Sequence, residues 1–306
     1  MKYSSMLVFC LFAHILCRKS LPLPPMKATK QYIRQHLAPI YGDREADAMM
    51  RIILESIMHY STVDLLIHAN DEISPLTRQR IEKVVSRLEC HEPIQYVFGE
   101  AFFGGHRFKV TPDTLIPRPE TEQLVDMILD ENHAADLRVL DVGSGSGCIA
   151  ISLALGLRFA DVTGIDISQA ALKVAAENAK TLKASVKFKQ CDILHQEPAG
   201  QFDIIVSNPP YICNEEQASM APNVVDYEPQ EALFVPDSDP LLFYRAISRY
   251  ASHALTDGGR LYFEINSRFG NEIADLLGSM GFTDIDITKD MYNRTRFARA
   301  IKPKSR

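Results

Sequence analysis

The residues whose types and spacing best suit a chemical role form one short stretch: Asn208, Pro209, Pro210 and Tyr211. This stretch follows residues 202–206, an apolar and largely β-branched run that predicts a buried strand. The two prolines lack N–H donors and fix φ, so the turn after the strand has few conformations. Its amide side chain, proline carbonyls and aromatic ring are suited to binding a planar NH2 group. The alternative is an ordinary proline-rich loop.

A glycine turn follows the strand pattern at residues 139–142 and consists of Gly143, Ser144, Gly145, Ser146 and Gly147. Glycines allow a backbone to approach a ligand closely and to turn tightly into a helix. With Asp141 at its start, the order Asp-x-Gly-x-Gly-x-Gly differs from the dinucleotide pattern GxGxxG. A carboxylate at this point disfavours a pyrophosphate and favours a ligand with a cationic end, such as S-adenosylmethionine.

Two further acids follow the next two strand patterns. Asp166 ends the second pattern, where a carboxylate can accept hydrogen bonds from both hydroxyls of a ribose. Asp192 ends the third pattern and can accept from an adenine amino group, with Ile193 packed on the ring. Each acid alone is more often a helix cap. Their succession after the glycine turn predicts a binding site for S-adenosylmethionine as cofactor, to which Asn208 also contributes.

Strand and helix patterns alternate from residue 137 to the end of the chain. Strand patterns occur at residues 139–142, 161–166, 186–192, 202–206, 260–265, 285–288 and 296–300. Helix patterns separate most of them, which is typical of a parallel, doubly wound α/β sheet. Because such sheets bind ligands at the carboxyl ends of their strands, we expect the glycine turn and Asn208 to lie at the same edge.

Residues 26–95 have a different pattern, in which apolar residues recur every three or four positions. This spacing predicts a small helical bundle. We expect this domain to bind or position a substrate protein. Ser74 and Pro75 have the residue types of a helix N-cap and a first helical position.

Residues 96–117 predict a β-hairpin linker, with residues 95–99 in its first strand and Gly104-Gly105 as its turn. Prolines on both sides of Arg118 predict an extended arm, and Thr121 is a candidate N-cap for the next helix. We expect Phe103 and Arg118 to lie over the substrate. The alternative is a stiff connection between two domains.

Residues 1–25 differ from the rest of the chain. Their apolar run, residues 6–16, is too short to span a bilayer, and no small-x-small cleavage site follows it. We interpret the segment as a mis-assigned start, with the true start at Met26. The alternative is an export signal.

Composition restricts the function further. The net charge of −6 over 306 residues disfavours general nucleic-acid binding. The six cysteines include no CxxC pair, so neither a metal site nor a disulfide framework is expected, and the reduced cytoplasm is the expected setting.

Three motifs together resemble the HemK/PrmC family of release-factor glutamine methyltransferases: residues 115–122 (LIPRPETE), 141–147 (DVGSGSG) and 208–212 (NPPYI). The resemblance extends from about Met26 to the end of the chain. It implies a Rossmann-like class I methyltransferase domain over residues 118–306, with the glycine turn and Asp166 binding S-adenosylmethionine. Where the family often has a large aromatic residue after the third-strand acid, this chain has Ile193, which implies weaker stacking on adenine.

The resemblance also implies a reaction and a partner. The methyl group would go to the side-chain amide nitrogen of the GGQ-type glutamine in peptide chain release factors. Asn208 and Pro209 would hold the amide, and Tyr211 would stack on it. The alternative is an adenine N6-methyltransferase that acts on DNA or RNA, because the Asn-Pro-Pro-Tyr motif occurs there too. The acidic charge disfavours it, and we expect a monomer that binds neither nucleic acid nor membrane.

Overall fold

The computed structural model describes residues 25–304, so the predictions for residues 1–24, a mis-assigned start or an export signal, lie outside the described residues. The chain divides into two compact units between Val97 and Phe98. Across residues 25–304, every helix is too short or too polar to cross a membrane. The cysteines of this range are free thiols: Cys90, Cys148, Cys191 and Cys213.

The first unit is helical. Its helices are α1 (Met26–Tyr41), α2 (Asp43–Met58), α3 (Asp64–Ile67) and α4 (Pro75–Glu89). Each of the three long helices buries apolar residues at helical spacing, including Ile33 and Leu37, Ile53 and Ile57, and Ile81 and Val85. The start of α4 is as predicted, because the Ser74 hydroxyl accepts from the Thr77 N–H at 3.1 Å and Pro75 is the first helical residue.

Helix α5 (Ile94–Phe98) corrects the prediction of a strand at residues 95–99. The N–H groups of Tyr96 and Val97 both donate to the Pro93 carbonyl, at 2.9 and 3.0 Å. Two donors on one carbonyl begin a helical turn, although the burial of Ile94 and Tyr96, two residues apart, resembles that of a strand. The pattern was too short for its period to distinguish the two.

The second unit begins with a hairpin of β1 (Glu100–Phe103) and β2 (His106–Lys109), joined by Gly104 and Gly105 at φ 54° and 76°. The hairpin contributes the fully buried Phe103 and Phe108 to a core cluster of this unit. The side-chain oxygen of Asn178 also accepts from the Lys109 N–H at 2.7 Å. The hairpin therefore packs within the second unit.

A mixed sheet of seven strands forms the centre of the second unit, as far as residues 98–304 describe it. The strands are β3 (Arg138–Val142), β4 (Asp161–Asp166), β5 (Val186–Gln190), β6 (Phe202–Ser207), β9 (Leu255–Glu264), β10 (Thr283–Lys289) and β11 (Thr295–Ile301). Their order is β10-β11-β9-β6-β3-β4-β5, and β11 runs in the direction opposite to the other six strands. A separate pair joins β7 (Ile212–Cys213) to β8 (Phe234–Val235). This topology confirms the predicted α/β class.

Helices cover both faces of the sheet. They are α6 (Pro119–Glu131), α7 (Cys148–Gly156), α8 (Gln169–Leu182), α10 (Leu242–Ala254) and α11 (Gly270–Ser279), and the short α9 (Pro222–Val225) lies in the loop after β7. Alternate residues of β6 enter different core clusters: Ile205 packs with residues of α10, whereas Ile204 and Val206 pack with residues of α6 and α7. Because strand side chains alternate between faces, these clusters lie on opposite sides of the sheet.

The strand register brings the ends of four strands to one level. Val142 of β3 pairs with both Ile165 of β4 and Ser207 of β6, and Ser207 pairs with Phe263 of β9. The next residue of each strand is therefore at the same edge: Gly143, Asp166, Asn208 and Glu264. The predicted convergence of the glycine turn with Asn208 is confirmed by this register.

The sheet packs so closely against the glycine turn at Gly164 of β4 that a larger residue there would clash. A Cβ at this position would lie 2.5 Å from Ser144 Oγ and 2.7 Å from a Phe188 ring carbon. We expect Gly164→Ala to lower the free energy of unfolding by about 1–3 kcal/mol through overpacking. As a control, Gly278→Ala in α11 meets nothing closer than 3.7 Å and should stabilise by up to about 1 kcal/mol. Urea unfolding followed by circular dichroism measures both, and equal effects would contradict the prediction.

Candidate active site

The glycine turn adopts a backbone that other residues rarely accept. Gly143, Gly145 and Gly147 have φ of 78°, 53° and 81°. The first part of the turn is held against β4, because the N–H groups of Gly143 and Ser144 both donate to the Ile165 carbonyl, at 2.9 and 3.0 Å. Gly147 is the N-cap residue of α7. The turn is therefore a rigid connection from β3 into a buried helix.

Asp166 holds this turn from the end of β4. Its Oδ2 accepts from the Gly145 N–H and its Oδ1 from the Ser168 N–H, both at 2.8 Å. Burial raises the pKa of Asp166, and the backbone donors partly oppose that rise. A carboxylate oxygen can accept more than one hydrogen bond, so both oxygens retain capacity for ligand hydroxyls.

A cavity of about 520 Å³ lies above the carboxyl ends of these strands, within the usual range for ligand sites. The predicted site residues that line it are Gly143, Gly145, Asp166, Asp192, Ile193, Asn208, Pro209 and Pro210. Its acidic lining residues are Asp113, Asp166, Asp192 and Glu231, and none of its lining residues between Pro112 and Ile247 is Lys, Arg or His. This charge favours a cationic ligand over a pyrophosphate, as expected for S-adenosylmethionine, whose sulfonium and ammonium groups outweigh its carboxylate.

Part of the cavity wall is apolar and suits a flat heterocycle. Ile193 lines it, and Phe243 of α10 lines it as well. Phe243 is an aromatic residue that sequence reasoning missed, because it is distant in the chain and no local motif marks it. Phe243 thus gives the cavity wall an aromatic ring, although position 193 is occupied by an aliphatic isoleucine.

Asp192 lies two residues beyond the end of β5. Its Oδ1 accepts from the Leu194 N–H at 3.0 Å, and its Oδ2 lies 2.7 Å from His195 Nδ1. The hydrogen bond with His195 is the largest of the influences that lower the pKa of Asp192. Asp192 is therefore an ionised acceptor at the cavity wall, in contact with an exposed histidine.

Four of the predicted cofactor residues do not line the cavity: Asp141, Ser144, Ser146 and Gly147. Asp141 is fully buried behind the turn, and neither carboxylate oxygen has a well-formed hydrogen bond to any residue in the described range. Burial raises the pKa of Asp141 to about 7, although the nearby Ser144 hydroxyl and Ala150 N–H act in the opposite direction. This placement corrects the expectation that Asp141 contacts the ligand directly, because its carboxyl group lies beneath the turn and not at the cavity wall.

The Asn-Pro-Pro-Tyr turn also borders a smaller cavity of about 200 Å³. Asn208 lines both cavities, and Tyr211 lines the smaller one. Asn208 Nδ2 donates to Thr121 Oγ1 at 3.3 Å. The Tyr211 hydroxyl donates to Glu264 at 3.0 Å, and burial raises the pKa of Tyr211 far above its usual value. Both ends of the turn are thus fixed by side chains of other elements.

Two residues outside this turn, Arg118 and Phe103, were also predicted to contact the substrate, and only Arg118 lies at a cavity. Arg118 lines the smaller cavity and forms an ion pair with the buried Glu228, which also accepts from the Ile116 N–H at 3.1 Å. Phe103 lines neither cavity and is fully buried, with its ring against Phe108 at a centroid distance of 5.9 Å. The expectation that Phe103 lies over the substrate is wrong, because alternation along β1 turns Phe103 into the core and exposes Phe102.

Comparison with known proteins adds two family matches. Residues 30–99 match the PrmC N-terminal domain, and residues 133–264 match a methyltransferase domain. The release factor glutamine methyltransferase of Bacteroides thetaiotaomicron is 41% identical over 277 residues, which cover 90% of this chain and 99% of that protein. The chain belongs to the release factor glutamine methyltransferase family. The enzymes of that name from Flavobacterium psychrophilum and Streptococcus pneumoniae are 43% and 40% identical, over 86% and 76% of this chain and 94% and 82% of their own lengths.

Membership of the release factor glutamine methyltransferase family confirms the predicted resemblance. The second unit is a Rossmann-like class I methyltransferase fold, and the helical region before it matches the N-terminal domain of the family. The adenine methyltransferase alternative is not favoured by these relatives. Within residues 25–304, no group of three His, Cys, Asp or Glu side chains is arranged to hold a metal ion.

Asp166 should contribute strongly to cofactor affinity. Asp166→Asn replaces one acceptor oxygen by an NH2 group, which cannot accept from Gly145, Ser168 or a ribose hydroxyl. We expect affinity for S-adenosylmethionine to fall by at least about tenfold, as measured by equilibrium dialysis. Asp161→Asn is the matched control, because Asp161 lies at the other end of β4 in an exposed pair with Lys187. Equal affinities of the two variants would contradict the role of Asp166.

The buried Asp141 should make stability depend on pH. Its pKa of about 7 in the folded protein lies above the usual value of 3.8, so the folded state binds the proton more tightly than the unfolded state. Its contribution to stability is complete below about pH 4 and is lost as pH rises through about 7. Wild type should therefore lose stability relative to Asp141→Asn between about pH 4 and 7. Urea midpoints of both proteins at these pH values test this, and parallel curves would contradict it.

Proposed function

We propose that this protein transfers a methyl group from S-adenosylmethionine to the side-chain amide nitrogen of a glutamine in a peptide chain release factor. The observation that carries the proposal is the position of Asn208, which lines both an acid-lined cavity and a smaller one. A group held by Asn208 can therefore face a ligand in the larger cavity. The names of the relatives supply the release factor as the substrate protein.

The residues of the larger cavity fit the methyl donor. Asp166 would accept from the ribose hydroxyls, Asp192 from the adenine amino group, and Ile193 and Phe243 would pack on the adenine ring. Gly143 and Gly145 would allow the methionine part to approach the backbone. When bound, S-adenosylmethionine supplies an electrophilic methyl group on a positively charged sulfur. The cavity acids would attract this positive charge and so would favour binding of the cofactor.

The turn at Asn208 would prepare the acceptor nitrogen. An amide nitrogen is a poor nucleophile, because its lone pair is delocalised into the carbonyl group. Asn208 Oδ1 and the Pro209 carbonyl would each accept one N–H of the glutamine amide and so fix the NH2 group. Tyr211 would stack on the amide plane, and Pro210 and Arg118 would contact the substrate chain. Positioning is the main contribution, and the nitrogen loses one proton after it gains the methyl group.

The remaining features of the proposal concern partners and setting. We propose that the protein acts as a monomer in the cytoplasm, without a metal ion, and that it binds release factors rather than nucleic acid or membrane. The charge of −6 is consistent with this choice, because phosphate backbones attract basic surfaces.

An assay with tritiated S-adenosylmethionine tests the function directly. Purified release factor, the same factor with its target glutamine replaced, and DNA are offered separately. We expect label only in the intact release factor. Label in DNA would support an adenine methyltransferase instead, and no label in any substrate would contradict catalysis.

Asn208→Ala tests the role of the turn in the same assay. We expect the methylation rate to fall by at least about 100-fold, because a preorganised group at the reacting atoms is lost. Affinity for S-adenosylmethionine should remain within about twofold of wild type, since other residues bind most of the cofactor. Asn271→Ala, an exposed position in α11, is the control and should keep full activity. Equal loss of affinity and rate in Asn208→Ala would contradict the assigned role.

A further inference from the structure

A buried carboxylate, Glu264, lies beneath the Asn-Pro-Pro-Tyr turn and has no part in the chemistry above. It is the last residue of β9 and is 1% exposed. Its Oε2 accepts from the Thr121 hydroxyl at 2.7 Å, and its Oε1 accepts from the Tyr211 hydroxyl at 3.0 Å. Burial raises the pKa of Glu264, whereas these hydroxyls and the Arg296 guanidinium lower it. The hydrogen-bond geometry makes Glu264 the acceptor of both hydroxyl protons.

The direction of the next hydrogen bond follows from counting protons. A carboxylate only accepts, and a threonine hydroxyl has one proton to give. Because Thr121 gives that proton to Glu264, its oxygen can only accept from Asn208. Asn208 Nδ2 lies 3.3 Å from Thr121 Oγ1 and is the nitrogen that can donate there. The reverse orientation of the Asn208 amide would place two acceptor oxygens against each other.

This direction determines what Asn208 offers to a ligand. An amide that directs its NH2 group toward Thr121 leaves its carbonyl oxygen free on the other side. Among residues 25–304, no group donates to Asn208 Oδ1, and the residue lines both cavities. A flipped amide would instead offer NH2 to the NH2 group of a substrate, and two donors repel.

We propose that Thr121 and Glu264 are positioning residues that orient the Asn208 amide so that Oδ1 accepts from the substrate NH2 group. Glu264 acts on both ends of the turn, because it also holds the Tyr211 hydroxyl. The inference rests on the proposed function for the identity of the substrate, but the orientation of Asn208 does not depend on it. A merely structural role would consist of tying α6 to β9, since Thr121 is 2% exposed and lies in the first turn of α6.

Thr121→Val and Thr121→Ser separate these roles, because valine keeps the shape and serine keeps the hydroxyl. In Thr121→Val we expect kcat for release-factor methylation to fall by at least about tenfold. Affinity for S-adenosylmethionine, measured by equilibrium dialysis, should stay within about twofold. Thr121→Ser should recover most of kcat. Wild-type kcat in Thr121→Val, or equal loss in both variants, would overturn the proposal.

Thr288→Val is the matched control for removal of a threonine hydroxyl. The Thr288 hydroxyl is buried in β10 and has no hydrogen-bond partner within the described chain. Its replacement removes the same group without touching the Asn208 turn. We expect kcat and cofactor affinity to remain at wild-type values, and a loss as large as that in Thr121→Val would overturn the specific role of Thr121.

The orientation of Asn208 can be observed without cofactor or release factor. The side-chain ¹H–¹⁵N signals of Asn208 are assigned by their absence in Asn208→Ala. In wild type and Thr121→Ser we expect one amide proton to exchange slowly with water, and in Thr121→Val and Glu264→Gln we expect that protection to be lost. Protection that persists in both variants would overturn the inference. If wild type labels no release factor, the proposed function fails, while this measurement still decides the orientation.

Discussion

The register of four parallel strands is the constraint on which the site depends. Val142, Ile165, Ser207 and Phe263 lie side by side across β3, β4, β6 and β9. Each strand then ends in a residue that can bind or position a ligand. A shift of one residue in any strand would turn its side chains to the opposite face and remove one member of the site. The glycine turn and the Asn-Pro-Pro-Tyr turn meet because hydrogen bonds within the sheet fix their starting points.

Carboxylates beneath and around these strand ends give the site its charge, and they are satisfied to different degrees. Asp166 accepts two backbone N–H groups, and Glu264 accepts two hydroxyls. Asp141 has no comparable donors, and burial raises its pKa to about 7. A buried charge without partners is costly, so these differences separate carboxylates held as acceptors from one that can be neutral at physiological pH. The result is a cavity that favours a cation next to the neutral Asn-Pro-Pro-Tyr turn.

Sequence patterns failed where local and tertiary preferences compete. Thr121 has the residue type of a helix N-cap, but α6 begins at Pro119 with Arg118 as the N-cap residue, and the Thr121 hydroxyl bonds to Glu264 instead. Phe103 has the type of a stacking residue, but the alternation along β1 buries it in the core. The contact of Thr121 with Glu264 is not visible in spacing, because the two residues are distant in the chain, and the burial of Phe103 requires the register of β1 with its partner strand.

The sequence by itself determined the fold class, the alternation of strands and helices from residue 137 onward, and the two motifs that indicate the chemistry. Periodicity, glycine and proline act over a few residues, so these features can be recognised within a single sequence. Only the tertiary structure decided that Asp141 lies beneath the turn, that Phe243 joins the cavity, and that Glu264 orients Asn208 through Thr121. These arrangements depend on strand register and helix packing, which bring together residues that no local pattern connects.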